Sequence, residues 1–276
     1  MGILNITPDS FYAESRMVNE REIAMRTERI LSEGGDIIDI GACSTRPGYT
    51  PISVAEEMKR LRYGLNIIRR TAPDAILSVD TFHADVAAMC VEEYGVSIIN
   101  DISAGRMDKQ MFDTIARLNV PYVLTHMQGV LSNMQQPPVY ENLMTEILQF
   151  FAQRVNKLHE LGVNDIFIDP GFGFEKSLDD NYQLMSNLSE LHLLKHPLLI
   201  GISRKSMIYK LLETTPEEAL GGTIALHMTA LAQGVHILRV HDVKACRECI
   251  RIWEKLQENS SRLITDNTIK QIKNPY

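Results

Sequence analysis

The sequence of 276 residues has few cysteines, a single tryptophan, no excess of basic residues and no long hydrophobic run. Its 28 Lys and Arg residues are outnumbered by 35 Asp and Glu residues, giving a formal net charge of -7. This balance argues against a nucleic-acid surface, because such a surface needs clustered basic residues. The apolar runs have the length of a strand, so no segment is predicted to span a bilayer. We see no secretory signal at the start and expect a cytoplasmic protein.

The four cysteines are too few and too scattered to predict a disulfide framework. Cys246 and Cys249 have the spacing of a metal site, but no second Cys or His pair completes it. They also lie in an amphipathic stretch, where residues i and i+3 share one face of a helix. We therefore predict ordinary reduced thiols, with a redox or metal role as the alternative.

Short apolar runs that alternate with amphipathic segments dominate the chain. The runs are almost continuously hydrophobic, which is typical of parallel strands covered by helices. The segments between them, such as residues 54–70, 143–161 and 217–233, have helical periodicity. We predict eight strands, at residues 2–5, 36–40, 76–80, 97–101, 121–126, 165–169, 198–203 and 236–241.

Eight strand–helix units predict the α/β class and a single (β/α)8 barrel of the TIM type. A doubly wound open sheet is the alternative, although it usually has about five or six strands. No repeat, low-complexity block or shift in composition divides the chain. We predict one barrel domain over residues 1–258 and a polar C-terminal tail over residues 259–276.

Polar or charged residues follow every predicted strand. In a (β/α)8 barrel the carboxyl ends of the strands build the active site. Strands 7, 8, 1 and 2 are neighbours around the ring and supply Lys205, Arg239, His241, Asn5 and Arg46. Strands 3, 4 and 6 supply Asp80, Asp101 and Asp169. One half of the mouth therefore suits an anion such as a diphosphate, and the other suits a ring rich in N–H donors. Solvated surface charge is the alternative, but it predicts no such sorting.

Three of these positions have an alternative structural interpretation. Residues 169–174, Asp-Pro-Gly-Phe-Gly-Phe, let backbone approach a flat ligand, or form a tight turn with packed aromatic rings. His126 is either a buried core histidine or a ligand contact. Asp101 either caps the following helix or touches the substrate.

Seven ordered blocks at the strand ends resemble dihydropteroate synthase, the folate-pathway enzyme that joins a pterin to p-aminobenzoate. The first is Asn5-Ile6-Thr7-Pro8-Asp9-Ser10-Phe11. The others lie at residues 44–48, 78–81, 99–101, 169–174, 203–206 and 239–243. Each block alone is weak, but the ordered set spans nearly the whole barrel. The resemblance implies a transferase that forms 7,8-dihydropteroate and diphosphate from 6-hydroxymethyl-7,8-dihydropterin diphosphate and p-aminobenzoate, with Mg²⁺ as cofactor.

The resemblance also implies roles for individual residues. The pterin ring is held deep in the barrel by Asp80, Asn100, Asp169 and Lys205. Arg239 lies against the ring face and reaches the diphosphate. Cleavage of the C–O bond precedes attack by the amine, and the implied catalytic residues are Asp80, Lys205, Arg239 and His241.

The remaining implied roles concern the diphosphate and the second substrate. Asn5 coordinates Mg²⁺ on the diphosphate, and His241 binds the diphosphate oxygens. Thr45 and Arg46 help to close the site. Ser206 binds the carboxylate of p-aminobenzoate, in a pocket shaped by Phe11, Pro47 and Phe174. The family further implies a homodimer and inhibition by sulfonamides.

The sequence departs from the commoner family pattern in the first two loops. Ala42-Cys43 stand where Gly-Glu often precedes Ser-Thr-Arg-Pro-Gly, and Tyr12-Ala13-Glu14 stand where Ser-Asp-Gly is frequent. Neither change removes a group assigned to the chemistry, so they concern loop closure and inhibitor affinity. The first strand begins at residue 2, whereas family members usually carry a preceding segment that helps to close the barrel floor.

Two other functions share part of this pattern. A barrel that moves a methyl group from methyltetrahydrofolate to a corrinoid would keep the pterin floor. It would have no use for the diphosphate residues Asn5, Arg46, Arg239 and His241. A catalytically inactive pterin-binding protein would show degraded loops, whereas every proposed catalytic position is filled here.

Overall fold

A computed structural model describes residues 1–6, 16–42, 52–127 and 140–260, with the backbone alone at 16–19 and 260. Its strands are β1 (Gly2–Asn5), β2 (Ile37–Gly41), β3 (Ile76–Asp80), β4 (Ile98–Asp101), β5 (Tyr122–Thr125), β6 (Ile166–Asp169), β7 (Leu199–Ile200) and β8 (Ile237–Leu238). All neighbouring strands run parallel, with β1 to β6 in chain order in one sheet and β7 beside β8 in another.

Single bridges join these two sheets on both sides. Ile168 pairs with Leu198 between β6 and β7, and Gly2 pairs with Val240 between β1 and the residues after β8. The Ile3 N–H donates to the Val240 carbonyl at 2.9 Å. The strands therefore form a ring, and the predicted (β/α)8 barrel is confirmed.

Helices cover the outside of the ring. They are α1 (Arg16–Ser32), α2 (Val54–Thr71), α3 (Ala84–Tyr94), α4 (Met111–Leu118), α5 (Leu143–Glu160), α6 (Leu178–Ser186), a 3-10 helix (Leu188–Leu194), α7 (Ser206–Leu211), α8 (Leu220–Ala232) and α9 (Val243–Ser260). Short polar side chains begin several of them. Ser53 accepts from the Glu56 N–H, and Ser177 and Asp180 form a capping box.

The burial of the strands explains their continuous hydrophobic runs. Ile38, Ile40, Leu77 and Val79 are fully buried, because each strand has helices on one face and the barrel interior on the other. A second, smaller cluster lies near the amino ends of the strands, formed by Met1, Ile98, Val123 and Leu199. Met1 and these strand residues therefore help to fill the floor of the barrel.

The predicted strand bounds hold to within one or two residues for β1 to β6. β7 and β8 end earlier than predicted, at Ile200 and Leu238, so residues 203–206 and 239–241 lie in loops. Helix α9 continues into the first two residues of the predicted tail, and the rest of the tail lies outside the described residues. Over the described ranges, no helix combines the length and apolarity needed to cross a membrane.

Candidate active site at the carboxyl ends of the strands

A buried carboxylate that the sequence analysis did not single out lies at the centre of the site. Asp39 is in the middle of β2, and its side chain is fully buried. Its oxygens accept hydrogen bonds from Ser78 Oγ at 2.6 Å, Asn100 Nδ2 at 3.3 Å and Arg239 Nε at 2.5 Å. A buried charge must be paired and hydrogen-bonded. Asp39 therefore connects three strands to the residues that follow β8.

Arg239 links the two halves of the mouth. Its Nη2 donates to Asp80 Oδ2 at 2.9 Å, while its Nε binds Asp39. One guanidinium therefore lies between two carboxylates. The predicted separation of an acidic from a basic half is wrong at this point, because Asp39 adds an acid on the side assigned to cations.

Burial raises the pKa of the Asp80 carboxyl to about 7, with the Arg239 cation opposing the shift and the Asp39 charge adding to it. The buried Asp80 carboxyl therefore retains a proton at a pH where an exposed carboxyl would lose it. Asp80 is thus poised to gain or lose a charge near neutral pH.

This shift predicts how stability depends on pH. Folded protein keeps the Asp80 proton up to about pH 7, whereas the unfolded chain loses it near 3.8. In that window the folded state binds up to about one extra proton, so the free energy of unfolding should fall as pH rises and level off above it. Urea titrations from about pH 5 to about pH 8 measure this slope. Asp80→Asn should remove the contribution of Asp80 to this slope. If the free energies of unfolding of the two proteins differ by the same amount at every pH, the raised pKa of Asp80 is contradicted.

Asn100 has a buried acceptor without a donor in the described part of the chain. Its Nδ2 donates to Asp39, and among the described residues no donor reaches its buried Oδ1. Buried polar atoms are almost always hydrogen-bonded. The strand register places Asn5, Gly41, Asp80 and Asn100 side by side on four successive strands. The unused oxygen therefore lies at the same level of the barrel as Asp80.

Asp169 and the turn after it form the next part of the site. Asp169 ends β6, and its Oδ1 accepts from the Gly171 N–H at 2.8 Å. Burial raises the pKa of Asp169, with Lys205 as the first opposing charge. We call residues 171–175 the glycine turn. A Cβ at Gly171, where φ is 71°, would lie 2.0 Å from the His126 carbonyl oxygen, so only glycine fits there.

Lys205 and Phe174 meet beside this turn. Lys205 Nζ donates to the Phe172 carbonyl and lies 4.7 Å from the centre of the Phe174 ring. Burial lowers the pKa of Lys205 to about 8, and Asp169 opposes the shift. Phe172 is a core residue, whereas Phe174 is half-buried at the mouth. Phe172 therefore fits the tight turn with a packed aromatic ring, whereas the approach of a flat ligand beside Phe174 stays a prediction.

The other predicted residues line the rim or lie outside the described ranges. Asn5 is exposed at the end of β1. Gly41 lies beside it on β2, and a Cβ at Gly41 would lie 3.4 Å from Asn5 Oδ1. His241 is exposed and its N–H donates to Ser203 Oγ at 3.3 Å, while Ser206 begins α7. Four predicted residues lie outside the described residues, namely Phe11, Thr45, Arg46 and Pro47.

Two polar residues at strand ends have structural roles. His126 is buried, and its ring contacts Phe150 edge-on at 4.7 Å, which confirms the core histidine. Asp101 accepts from the Ser103 N–H at 2.7 Å, the Gly105 N–H at 2.8 Å and the Tyr122 hydroxyl at 2.6 Å. It therefore holds the turn after β4 and fixes β5 to it.

The sequence analysis missed Asp39 and Lys176. Asp39 interrupts the apolar run Ile37-Ile38-Asp39-Ile40, and a lone acid inside a strand that is otherwise buried is itself a signal. Lys176 directly follows the glycine turn, and its side chain is buried beneath it. Nothing in the sequence separates it from an ordinary exposed lysine.

Comparison with known proteins agrees with this geometry. Residues 1–241 match the family model described as pterin binding enzyme. Dihydropteroate synthase from Escherichia coli K12 is 38% identical over 256 residues, covering 92% of this chain and 90% of the relative. The chain belongs to the pterin-binding enzyme family.

Solved structures of dihydropteroate synthases have the same fold. The Yersinia pestis enzyme in complex with a sulfonamide drug has a TM-score of 0.83 and 40% identity, covering 94% of this chain and 93% of that one. The Xanthomonas albilineans enzyme with 4-aminobenzoic acid has a TM-score of 0.82 and 37% identity, covering 93% and 92%. Members of this family are therefore the proper reference for the site.

Proposed function

We propose that this protein is a dihydropteroate synthase, a transferase of folate biosynthesis. It joins 6-hydroxymethyl-7,8-dihydropterin diphosphate to p-aminobenzoate and releases diphosphate. The buried Oδ1 of Asn100, which has no hydrogen-bond donor among the described residues and lies on the strand position paired with Asp80, carries the proposal. The aminopyrimidine edge of a pterin supplies N–H donors for the oxygens of Asp80, Asn100 and Asp169. The sulfonamide and 4-aminobenzoic acid complexes of the similar enzymes support the second substrate and the inhibitor class.

Polar residues at the carboxyl ends of the strands orient the pterin. Asp80, Asp169 and Asn100 offer oxygens to the N–H groups of the ring, and charged acceptors give the stronger bonds. Lys205 has the opposite role, because its ammonium donates to an acceptor atom of the ring. Burial lowers the pKa of Lys205, and its ammonium, which also donates to the Phe172 carbonyl, has further N–H groups for the ring. Together these groups fix the ring in one orientation.

Cleavage of the C–O bond comes first in the reaction. The bond between the pterin methylene and the diphosphate breaks, and its electron pair leaves with the diphosphate oxygen. Arg239 and His241 at the rim stabilise the negative charge, and ionised Asp80 stabilises the methylene cation. The nitrogen lone pair of p-aminobenzoate then forms the C–N bond, and the resulting acidic arylammonium loses its proton to water. A strong general base is not required.

A magnesium ion suits the rim of the site. Across the described ranges, no cluster of three or more His, Cys, Asp or Glu side chains is placed to hold a metal. Mg²⁺ needs few protein ligands when a substrate diphosphate and waters supply the remainder. The exposed amide oxygen of Asn5 fits that requirement and would hold the ion. The bound ion would neutralise charge on the departing diphosphate.

Release of diphosphate tests the proposed function. The protein should release one diphosphate per 7,8-dihydropteroate when mixed with both substrates and Mg²⁺, and neither substrate alone should support sustained release. A methyltransferase or an inactive pterin-binding protein would bind the pterin without releasing diphosphate. Pterin binding with no release would therefore contradict the assignment.

The proposed order of events predicts that diphosphate promotes p-aminobenzoate binding. The resemblance places Phe11 and Pro47, both outside the described residues, in the p-aminobenzoate pocket, and we propose that this pocket binds its ligand more tightly when diphosphate is present. Arg239→Ala and His241→Ala should then weaken p-aminobenzoate binding by about 1–3 kcal/mol in the presence of pterin, diphosphate and Mg²⁺. Calorimetry measures this, and equal affinity with and without diphosphate in the unmutated protein would contradict the coupling.

We further propose a homodimer built on α7 and α8. Helix α8 has no charged residue, and its exposed face carries the small residues Gly221 and Ala225. Leu211 and Leu212 beside it are more than half exposed. Exposed apolar and small residues on neighbouring helices favour association. Analytical ultracentrifugation at micromolar concentration measures the mass, and a monomer would contradict the proposal.

The free thiols support the proposed cytoplasmic location. Cys90, Cys246 and Cys249 are buried and unpaired, as cysteines of a reducing compartment are. We also retain the proposed division into one barrel domain, residues 1–258, and a C-terminal tail.

A further inference from the structure

Lys176 directly follows the glycine turn and bonds to carbonyls of the turn that Lys205 does not contact. Its side chain is buried, and Nζ is 3.0 Å from the Gly171 carbonyl oxygen and 3.3 Å from that of Phe174. His126 Nδ1 lies 3.1 Å from the same nitrogen. Burial and the Lys176 charge lower the pKa of His126 to about 2, so the imidazole is neutral and Nδ1 accepts. The three N–H groups of an ammonium match these three acceptors, and a fourth acceptor, the His126 carbonyl oxygen, lies 3.5 Å from Nζ.

Two lysines donate hydrogen bonds to the glycine turn. Its left-handed residues, at Gly171, Gly173 and Glu175, make successive carbonyls point in different directions. The Gly171 and Phe174 carbonyls accept from Lys176, whereas the Phe172 carbonyl accepts from Lys205. The two lysines therefore bind different carbonyls of the same turn, and together they fix its conformation.

We propose that Lys176 is a positioning residue that sets both substrate pockets through the glycine turn. The turn carries the Phe174 ring, a wall of the p-aminobenzoate pocket, and the Phe172 carbonyl that orients Lys205. Lys176 itself touches neither substrate. The inference rests on the proposed function and adds to it the group that holds the wall between the two pockets.

Burying the charged ammonium of Lys176 is unfavourable for folding unless the ammonium donates hydrogen bonds that the turn needs. None of the ion pairs formed by the described residues involves Lys176, so its charge is stabilised by carbonyl dipoles and more distant groups. Burial lowers its pKa to about 7, and the charged groups that act on it are Asp169, Lys205, Glu175 and Asp180. An apolar side chain would avoid this cost but would leave the carbonyls without donors.

The experiment compares Lys176→Met with Lys157→Met, a matched loss of charge at an exposed position of α5. We expect Lys176→Met to raise the KM for p-aminobenzoate about tenfold and to lower kcat less than about threefold, since the reacting groups remain. Hydrogen exchange should accelerate at residues 171–175. Lys176→Arg keeps N–H donors at this position, so its KM for p-aminobenzoate should be close to that of the unmutated protein. Lys157→Met should match the unmutated protein in every measurement.

Faster exchange of the turn with an unchanged KM would mean a merely structural lysine and would overturn the proposal. If Lys176→Met does not fold, Lys176→Gln carries the same prediction, because its shorter side chain cannot reach all three acceptors. The unmutated protein separates the two proposals. Absence of diphosphate release there contradicts the proposed function, whereas normal release there with an unchanged KM in the Lys176 variant contradicts this inference alone.

Discussion

Replacing Asp39 by alanine should lower the free energy of unfolding by about 3–5 kcal/mol. The substitution removes the buried acceptor of Ser78 and Asn100 and leaves the Arg239 guanidinium with Asp80 as its remaining ion-pair partner in the described structure. Loss of one of the two carboxylates that pair with this guanidinium is costly, because the low dielectric of the interior strengthens both the attraction and the penalty for losing it. Urea unfolding followed by circular dichroism measures the change.

The matched control is Asp36→Ala, just before the same strand. Asp36 is exposed and its contact with Arg247 is 3.8 Å long, so its loss should change stability by less than about 0.5 kcal/mol. Asp39→Asn separates shape from charge, because it keeps an acceptor for Ser78 but removes the ion pair with Arg239. Equal destabilisation by Asp36→Ala and Asp39→Ala would show that Asp39 does not organise the site.

The barrel and most of the strand ends could be predicted from the sequence. Strands buried on both faces are continuously apolar, and the polar residue that ends each run marks the mouth, as at Asp80 and Asp169. These signals are local, so a linear sequence carries them. The bounds of β7 and β8 were less accurate because each has only two residues in ladder geometry.

The partners of the charged groups could not be predicted in the same way. Arg239 and Asp39 are 200 positions apart, and only closure of the ring brings them together. The burial of the Lys176 side chain depends on the left-handed residues of the preceding turn. One of these residues is Glu175, and glutamate rarely adopts this conformation. Non-local contacts and turn geometry thus decide which polar residues are free to bind a ligand.

The second large effect is expected on pterin binding, from Asp169→Asn. One carboxylate oxygen of Asp169 accepts from the Gly171 N–H, and asparagine retains an oxygen that accepts this bond. The other oxygen, which we propose binds the ring edge, becomes an NH₂ donor that opposes the N–H donors of the pterin. Loss of the charged bond and the new mismatch should weaken pterin binding by about 2–4 kcal/mol.

In calorimetry with a pterin this corresponds to roughly a 30-fold to 1,000-fold loss of affinity. Asp165→Asn, at the exposed start of the same strand, is the control and should bind as tightly as the unmutated protein. Because Asp169→Asn keeps the acceptor of the Gly171 N–H, hydrogen exchange at residues 171–175 of that variant should remain unchanged. The loss of affinity then comes from the ring edge and not from collapse of the turn. Unchanged pterin affinity in a folded Asp169→Asn protein would remove Asp169 from the pterin site and leave Asn100 and Asp80 as its acceptors.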